Sequence, residues 1–183
     1  VPITGMGAGV FQCLVELEIG EPGIFDTRIA FVSSRRGSKE IFLMDYDGFS
    51  PRQITRNGTI NLNPRWSPDG KRLAYTSYRE RRPGVFVTDL IQGGTRRLAL
   101  KADLATGAVW SPDGSMIAVA LGRRGNTDLF LFQSDGRLIR RLTTHFAIDV
   151  DPSWSPDGKT LAFTSNRSGS PQVFLMDEPL SSL

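Results

Sequence analysis

The sequence predicts an all-β protein: a β-propeller of four-stranded antiparallel blades, with about three and a half to four blades in the chain. Three observations predict this fold. The pentapeptide Trp-Ser-Pro-Asp-Gly begins at Trp66, Trp110 and Trp154, so consecutive copies are 44 residues apart. Strand-like apolar runs such as 41–43, 85–87, 129–131 and 173–175 share this period. Turn-forming Asp-Gly pairs separate the runs.

Each 44-residue unit contains four candidate strands, which we label A to D from the inside of the ring outward. Strand A is the stretch before each Trp, such as "NLNPRW", and strand B is a run such as "KRLAYTS". Strand C is a run such as "PGVFVTD", and the short strand D reads "RRLAL". Alternating apolar residues and β-formers favour strands in these runs. Pro64 and Pro152 are expected at the start of strand A, where a missing N–H is tolerated.

The repeated pentapeptide is interpreted as structural. A large aromatic at one point of every blade fills the space between adjacent blades, and the Asp of each Ser-Pro-Asp-Gly is a turn former. The alternatives are sugar stacking by the Trp rings and acid catalysis by the Asp carboxylates. No cluster of exposed aromatic residues accompanies the Trp in the sequence, which favours the structural interpretation.

The ends of the chain interrupt the repeat. We predict an N-terminal extension at 1–19, blades over 20–177 and a tail at 178–183. The first unit lacks a clear strand A and the last lacks strand D. Alternation in "FQCLVELEI" (11–19) predicts a closing outer strand, and a helix left from a lost domain is the alternative. An open blade end exposes unpaired strand edges, so two chains are expected to close one ring of about eight blades.

Composition excludes several classes of function. The 183 residues carry a net charge of +3, which weakly favours acidic partners and falls short of a nucleic-acid-binding signature. Apolar runs are strand-sized, so membrane insertion is not expected, and the N-terminal stretch has no recognisable signal peptide. Cys13 and His145 are the single cysteine and histidine, which excludes an intrachain disulfide and a Cys/His zinc site.

Strand direction alternates, so the connections fall on two faces. The A–B and C–D turns collect aspartates, which predicts an acidic face. The B–C hairpins, such as "SRRGSKE" and "YRERRPG", place arginines on the other face as a basic rim. This rim consists of Arg35, Arg36, Arg79, Arg81, Arg82, Arg123, Arg124 and Arg167. Its functional interpretation is attraction of an acidic partner, and the alternative is a set of merely solvated side chains.

The D–A connections share the face of the basic rim and lead into the innermost strands, so their residues ring the mouth of the central channel. The mixture of polar and apolar groups there is typical of a protein-binding site. The candidate partner-binding residues are Asn61, Leu62, Asn63, Leu104, Thr106, Gly107, Asp149, Val150 and Asp151. Asp149 and Asp151 could hold a hard cation such as calcium, and hydrogen-bonded loop acids are the favoured alternative. No cofactor is expected.

Several stretches resemble the TolB family, the periplasmic proteins of the bacterial Tol–Pal system. These are "GEPGIFDTRIAFVS", "LMDYDG", "NPRWSPDGKRLAYTS" and "DPSWSPDGKTLAFTSNRSGSPQVFLMD", so the resemblance runs from about Gly20 to Asp177. WSPDG alone is shared by many propellers, whereas the opening stretch and the "DYDG" turn are more particular to TolB.

The resemblance implies a non-enzymatic binding protein of the periplasm. Proteins of this family have an N-terminal α/β domain that contacts TolA and a six-bladed propeller whose channel mouth binds the lipoprotein Pal. Colicins can use the same surface. The corresponding segments are 61–64, 104–108 and 149–152. Residues 1–19 do not resemble the end of the N-terminal domain, so TolA contact is not expected of this stretch.

Enzymatic alternatives find weak support in the sequence. The first alternative is the propeller domain of a prolyl-oligopeptidase-like serine hydrolase whose catalytic domain is absent. A Gly-x-Ser-x-Gly elbow would mark that catalytic domain, and the nearest phrase, "GFSPR" at 48–52, lacks the final Gly. A propeller lactonase needs a ring of inward acidic, amide and histidine ligands, of which only fragments are present. "GMGAGV" at 5–10 is not a dinucleotide fingerprint because it ends in Val and precedes the predicted strand. A scaffold without a surviving partner is a further alternative.

Overall fold

A computed structural model describes residues 27–98, 102–123 and 125–177. In these ranges the chain forms fourteen strands and no helix, arranged in four antiparallel sheets. The first sheet contains β1 (Arg28–Arg36), β2 (Ser38–Asp45) and β3 (Arg52–Gln53). The second contains β4 (Asn61–Trp66), β5 (Arg72–Ser77), β6 (Gly84–Asp89) and β7 (Thr95–Arg97). These sheets are blades 1 and 2.

Blades 3 and 4 continue the same order along the chain. Blade 3 contains β8 (Leu104–Trp110), β9 (Met116–Arg123), β10 (Asn126–Gln133) and β11 (Leu138–Arg141). Blade 4 contains β12 (Asp149–Trp154), β13 (Thr160–Ser165) and β14 (Gln172–Asp177). Strands that are adjacent in sequence are paired in every blade. The predicted all-β propeller of four-stranded antiparallel units is therefore confirmed.

The incomplete blades lie where the repeat breaks down. Blade 1 contains strands B, C and D, whereas blade 4 contains strands A, B and C. The predicted extension at 1–19 and the tail at 178–183 lie outside the described residues. The innermost position of strand A is confirmed by the contacts between blades, because β8 packs against both β4 and β12.

A bulge interrupts each complete strand A at the same point. The pairing register shifts after Leu62, Thr106 and Val150. The next residues, Asn63, Gly107 and Asp151, all have positive φ, at 53°, 64° and 52°. Gly, Asn and Asp are the residue types that adopt this left-handed backbone most readily.

The bulge also explains the two repeated prolines. Pro64 and Pro152 lie in the middle of β4 and β12, not at the strand start that the sequence suggested. Each follows the left-handed residue, at the point where the ladder is already interrupted, so its missing N–H removes no regular hydrogen bond.

The repeated Trp fills the junction between consecutive blades, as the sequence predicts. Trp66 packs in one buried cluster with side chains of blade 1, including Ile41 and Leu43. Trp110 does the same against Val85 and Val87 of blade 2. Trp154 packs against blade 3. Each blade therefore buries its face under the Trp of the next blade.

The Ser-Pro-Asp-Gly turns are closed by their own side chains. In the first copy Ser67 Oγ donates to Asp69 Oδ1, and the backbone N–H of Lys71 donates to the same oxygen at 3.2 Å. Gly70 N–H donates to Ser67 O with a φ of 66° at the glycine, a conformation that favours glycine. The Asp is thus a turn former, as predicted.

Candidate functional site

An exposed aliphatic residue marks the entry to the innermost strand in each of blades 2, 3 and 4. Ile60, Leu104 and Ile148 follow one another at 44-residue intervals and are 44%, 39% and 45% exposed. We call these three residues the hydrophobic ring. Phe146, two residues before Ile148, is 86% exposed. Exposed apolar side chains that recur at one position of a repeat indicate a binding surface more strongly than scattered ones do.

Hydrogen bonds hold two members of the ring against the B–C hairpins of their own blades. The N–H of Tyr78 donates to the carbonyl oxygen of Ile60 at 3.0 Å. In blade 4 the N–H of Ile148 donates to Oδ1 of Asn166 at 2.8 Å. Tyr78 and Asn166 occupy equivalent positions immediately after strand B. The hairpins and the ring are therefore fixed relative to one another on one face of the propeller.

Asn61 joins blade 2 to blade 1 beneath this surface. Its side chain is fully buried, and Nδ2 donates to Oε2 of Glu40 at 2.9 Å and to the carbonyl oxygen of Lys39 at 3.0 Å. Glu40 is also buried, and its other oxygen accepts the N–H of Gly58 at 2.8 Å. A buried carboxylate is stable only with such donors. This network fixes the connection that carries Ile60.

Asp149, the residue equivalent to Asn61 in blade 4, is also fully buried. Its two carboxylate oxygens each lie 3.1 Å from Nη2 of Arg167, on the B–C hairpin of the same blade. The guanidinium of Arg167 lies over the rings of Phe163 and Phe174, at 5.2 and 4.8 Å from their centres. This ion pair ties the start of β12 to the hairpin beside it.

The nine predicted mouth residues thus divide into three groups. Asn63, Leu104 and Asp151 are exposed, and Leu62, Thr106, Gly107 and Val150 are half-buried. Asn61 and Asp149 lie in the interior, so the structure places them beneath the mouth instead of at its surface. A direct partner contact by these residues stays a prediction.

The basic rim and the hydrophobic ring lie on the same face, because the B–C hairpins and the D–A connections share it. Exposed members are Arg35, Arg36, Arg79, Arg81, Arg82 and Arg123. Arg167 is half-buried against Asp149, which makes it less available to a partner than the others. Arg82 lies 3.3 Å from Asp103 in a solvent-exposed pair of little energetic weight. Arg124 lies outside the described residues.

The opposite face is less acidic than the sequence suggested. Its aspartates are engaged in turns: backbone hydrogen bonds from Gln92 and Ile91 lower the pKa of Asp89. Arginines lie among these acids, because one depression in blade 2 is lined by Arg72, Asp89 and Arg96. The equivalent depression in blade 1 is lined by Arg28, Asp45 and Arg52. Strand B and strand D both begin at this face, so their first residues add positive charge that an inventory of turn residues omits.

No metal centre is formed by the described residues, since no group of three or more acidic, histidine or cysteine side chains is positioned to bind one. Both oxygens of Asp149 are bound by Arg167, while Asp151 is exposed. In the same ranges the structure contains no helix with the length and hydrophobicity of a membrane span.

The serine and the histidine considered for a hydrolase lie on opposite faces of the propeller. Ser50 of the "GFSPR" phrase lies in the turn between β2 and β3, on the face opposite the hydrophobic ring. His145, the single histidine of the chain, lies in the D–A connection before β12, on the face of the ring. Topology therefore separates the two residues that a serine nucleophile and its base would require.

Sequence reasoning found Leu104 but missed Ile60, Phe146 and Ile148. Ile60 and Ile148 lie 44 residues before and after Leu104, so the repeat already identifies the three as equivalent positions. It did not reveal their exposure, because an isolated aliphatic residue before a strand is more often buried. Phe146 has no such periodic signal.

Comparison with known proteins places the chain in a family. A family profile described as the TolB β-propeller domain matches residues 15–182. The "Tol-Pal system protein TolB" of Desulfosudis oleivorans is 53% identical over 58 residues, which are 32% of this chain and 13% of that protein. The crystal structure of TolB from Acinetobacter baumannii superposes with a TM-score of 0.76 at 31% identity, over 85% of this chain and 40% of that one.

A propeller of a different kind of protein shares the fold alone. The structure of a puromycin-hydrolyzing peptidase from Mycobacterium tuberculosis superposes with a TM-score of 0.68 at 15% identity, over 91% of this chain and 29% of that one. The two TolB relatives are more similar in sequence, and this chain matches 13% and 40% of their lengths. The repeated blades, the family profile and the structural likeness lead to one conclusion: the chain belongs to the TolB β-propeller family.

Proposed function

We propose that this chain is a non-enzymatic protein-binding propeller of the Tol–Pal system. In this proposal it works in the bacterial periplasm, without a cofactor, and binds a Pal lipoprotein through the face that carries the hydrophobic ring. The observation that carries the proposal is the recurrence of Ile60, Leu104 and Ile148 at one exposed position of three consecutive blades. The names of the relatives, as Tol–Pal system proteins, support the choice of partner.

The chemistry of the face defines what the partner must present. Apolar side chains of the partner would contact the hydrophobic ring and Phe146 in the centre, where burial contributes most to affinity. The surrounding basic rim favours acidic groups at the edge of the partner surface and repels basic ones. The left-handed Asn63 and Asp151 hold the inner strands at the bulge, so the mouth has a fixed shape before binding.

A binding measurement tests this proposal. A purified Pal lipoprotein domain is titrated into the chain by isothermal titration calorimetry, and the same titration is made with the double variant Leu104→Ser, Ile148→Ser. We expect the variant to weaken binding at least about tenfold, because each residue loses apolar contact area at the centre of the interface.

A matched control uses an exposed isoleucine on the opposite face. Ile91 is 68% exposed in the C–D turn of blade 2, so Ile91→Ser removes an aliphatic side chain that is more exposed than either ring residue but lies away from the ring. It should leave Pal binding unchanged. Equal losses in both variants, or no binding by the unmodified chain, would refute the assignment of this face.

We also propose that two copies of the chain associate to close a ring of about eight blades. Support comes from Val173 and Leu175 of β14, which are 73% and 69% exposed. The equivalent residues Ile41, Val85 and Leu129, and likewise Leu43, Val87 and Leu131, are at most 2% exposed under the following blade. The free face of blade 4 therefore has the chemistry of an inter-blade junction.

Light scattering of the chain tests the dimer, with the variant Val173→Asp, Leu175→Asp for comparison. A dimer mass for the unmodified chain and a monomer mass for the variant are expected. Phe49→Ser removes an equally exposed aromatic residue from a turn of blade 1 and should leave the dimer intact. A monomer mass for the unmodified chain would contradict this association and would leave the Pal-binding proposal standing.

A further inference from the structure

Two D–A connections, separated by two 44-residue periods, use the same side-chain hydrogen bond with different residues. Before β4, Oδ1 of Asn57 accepts the backbone N–H of Thr59 at 3.2 Å. Before β12, Nδ1 of His145 accepts the backbone N–H of Ala147 at 3.1 Å. In both connections the acceptor lies two residues before its donor and three residues before the exposed isoleucine of the hydrophobic ring. The side chain at this position therefore shapes the connection.

The connection around His145 carries the most exposed apolar group on this face. Phe146 follows directly, and its ring centre lies 4.1 Å from that of the imidazole. The carbonyl oxygen of His145 accepts Nδ2 of Asn126 at 3.1 Å, and Ile148 is held by Asn166. Ala147, the donor to Nδ1, is buried between the two exposed apolar residues. Any change in the bond to Nδ1 therefore acts on both of its neighbours.

We propose that His145 is a positioning residue of the hydrophobic ring, and that protonation of its imidazole releases the 145–148 connection and displaces Phe146 and Ile148. The blade 2 connection, with Asn57 as the acceptor, keeps Ile60 in place across the pH range in which a histidine gains its proton. The effect on partner binding rests on the proposed function, whereas the positioning of the connection does not.

The direction of the hydrogen bond is the physical basis. A backbone N–H only donates, so Nδ1 must offer its lone pair and the proton of the neutral ring is on Nε2. Protonation gives the ring a second N–H, at Nδ1. This N–H then faces the N–H of Ala147, and the buried donor is left without its acceptor. Histidine side chains generally gain this proton between about pH 8 and pH 5. An asparagine amide has no such titration, so the bond to Asn57 persists.

Two ion pairs lie beside the connection. Arg141 donates through Nε to the carbonyl oxygen of Thr143 at 2.8 Å and through Nη2 to Oδ2 of Asp128 at 2.7 Å. The pair Asp149–Arg167 lies in blade 4, next to the hairpin that holds Ile148. Described charged side chains on the elements around His145 are Arg123, Asp128, Arg140, Arg141, Asp149, Asp151 and Arg167. Two of the three carboxylates are thus paired with two of the four arginines.

Nuclear magnetic resonance of the complete chain tests the positioning directly. The imidazole signals belong to a single residue, so they report its protonation without ambiguity. Amide signals of Ala147 and Ile148 are followed from about pH 8 to about pH 5 in the unmodified chain, in His145→Asn and in His145→Ala. Asparagine is the native residue of the equivalent blade 2 position, so His145→Asn is the matched, non-titrating acceptor.

We expect the amide signals of Ala147 and Ile148 in the unmodified chain to shift over the same pH range as the imidazole signals. On protonation, hydrogen exchange at these two amides should accelerate at least about threefold more than exchange at the Thr59 amide. In His145→Asn the two amides should stay at their high-pH positions throughout. In His145→Ala they should match the protonated state at every pH, because the acceptor is absent.

Two results would overturn the proposal: amides that do not follow the imidazole titration, or a His145→Asn variant whose amides titrate as in the unmodified chain. A Pal titration at the two ends of the pH range then addresses the consequence for binding. Pal affinity that falls at low pH only in the unmodified chain supports it. Unchanged affinity alongside a moving connection contradicts the proposed contact by Phe146 and Ile148, and leaves the positioning role of His145 intact.

Discussion

The guanidinium carbon of Arg72 in blade 2 lies 4.6 Å from the centre of the Trp110 ring in blade 3. Nε1 of Trp110 donates to the carbonyl oxygen of Arg65, which also belongs to blade 2, at 3.3 Å. The pair repeats one blade earlier, where Arg28 lies 6.0 Å from the centre of Trp66. At the third junction Met116 replaces the arginine. The Trp ring is therefore common to all three junctions, the cation over the ring is present at two of them, and the inter-blade hydrogen bond of the indole N–H is formed by Trp110.

The relative weight of these contacts is the first prediction. Trp110→Ala should lower the free energy of unfolding by about 3–5 kcal/mol, because it empties the space between two blades. Arg72→Met reproduces the residue of the third junction and should cost at most about 1 kcal/mol. Urea denaturation followed by circular dichroism measures both. Similar losses for the two variants would show that the cation, and not the ring volume, controls the junction.

The buried ion pair in blade 4 gives the second prediction. Asp149→Ala leaves the half-buried guanidinium of Arg167 without its carboxylate and should destabilise the protein by about 3 kcal/mol. Asp149→Asn keeps one oxygen acceptor, has the residue type found at Asn61, and should cost clearly less. Chemical denaturation of both variants checks the order. A larger loss of stability in Asp149→Asn than in Asp149→Ala would show that an oxygen acceptor at position 149 does not stabilise the guanidinium of Arg167.

Acid sensitivity gives the third prediction. Partial burial by itself favours the neutral form of Asp113, but hydrogen bonds from Ser111 and Ser115 outweigh it and hold the pKa of Asp113 below its ordinary value. A carboxyl with a lower pKa in the folded state stabilises the protein above its unfolded-state pKa of about 4. That contribution is lost as the pH falls through the folded-state value.

The corresponding measurement compares the unmodified chain with Asp113→Asn in urea from about pH 6 to about pH 3. The variant should be less stable at pH 6, and the difference should shrink toward pH 3, because the carboxyl of the unfolded chain gains its proton at a higher pH than the carboxyl of the folded chain. A constant difference across this range would show that ionisation of Asp113 does not contribute.

Salt dependence of association is the fourth prediction. Arg81→Gln, Arg82→Gln removes two exposed cations of the basic rim and should reduce the association rate constant for a Pal domain several-fold at low salt, with little change in dissociation. Arg137→Gln removes a cation from the opposite face and serves as the control. Surface plasmon resonance at two salt concentrations measures the rates. An association rate that is independent of salt would exclude steering by the rim.

Periodicity made most of the fold predictable. One 44-residue register located the strands, placed strand A innermost and assigned the Trp to the blade junctions, because each of these features recurs and the copies confirm one another. The structure confirms all three. Pro64 was misplaced because the bulge beside Asn63 depends on backbone dihedrals, and the Asn, Gly and Asp that recur at this position are equally common in ordinary turns.

The candidate site was less predictable because solvent exposure depends on neighbouring elements. Asp149 follows the pattern of a mouth residue, yet Arg167 from a hairpin eighteen positions later covers it and neutralises it. The prediction of an acidic face overestimated its negative charge for a similar reason. Arg28 and Arg72 begin strands at that face, so an inventory of turn residues omits them. Single-residue environments of this kind require the three-dimensional packing.

The identity of the three pentapeptides has a consequence for how such a chain changes length. Removal of residues 67–110 would join Trp66 directly to Ser111, and the sequence across the new bond would again read Trp-Ser-Pro-Asp-Gly. Trp66 would still pack against Val32 and Leu43 of blade 1 after the removal. The new junction would therefore have the chemistry of a native interface. Genetic recombination between copies would therefore add or delete whole blades, and the resulting proteins would differ in ring size while retaining their local contacts.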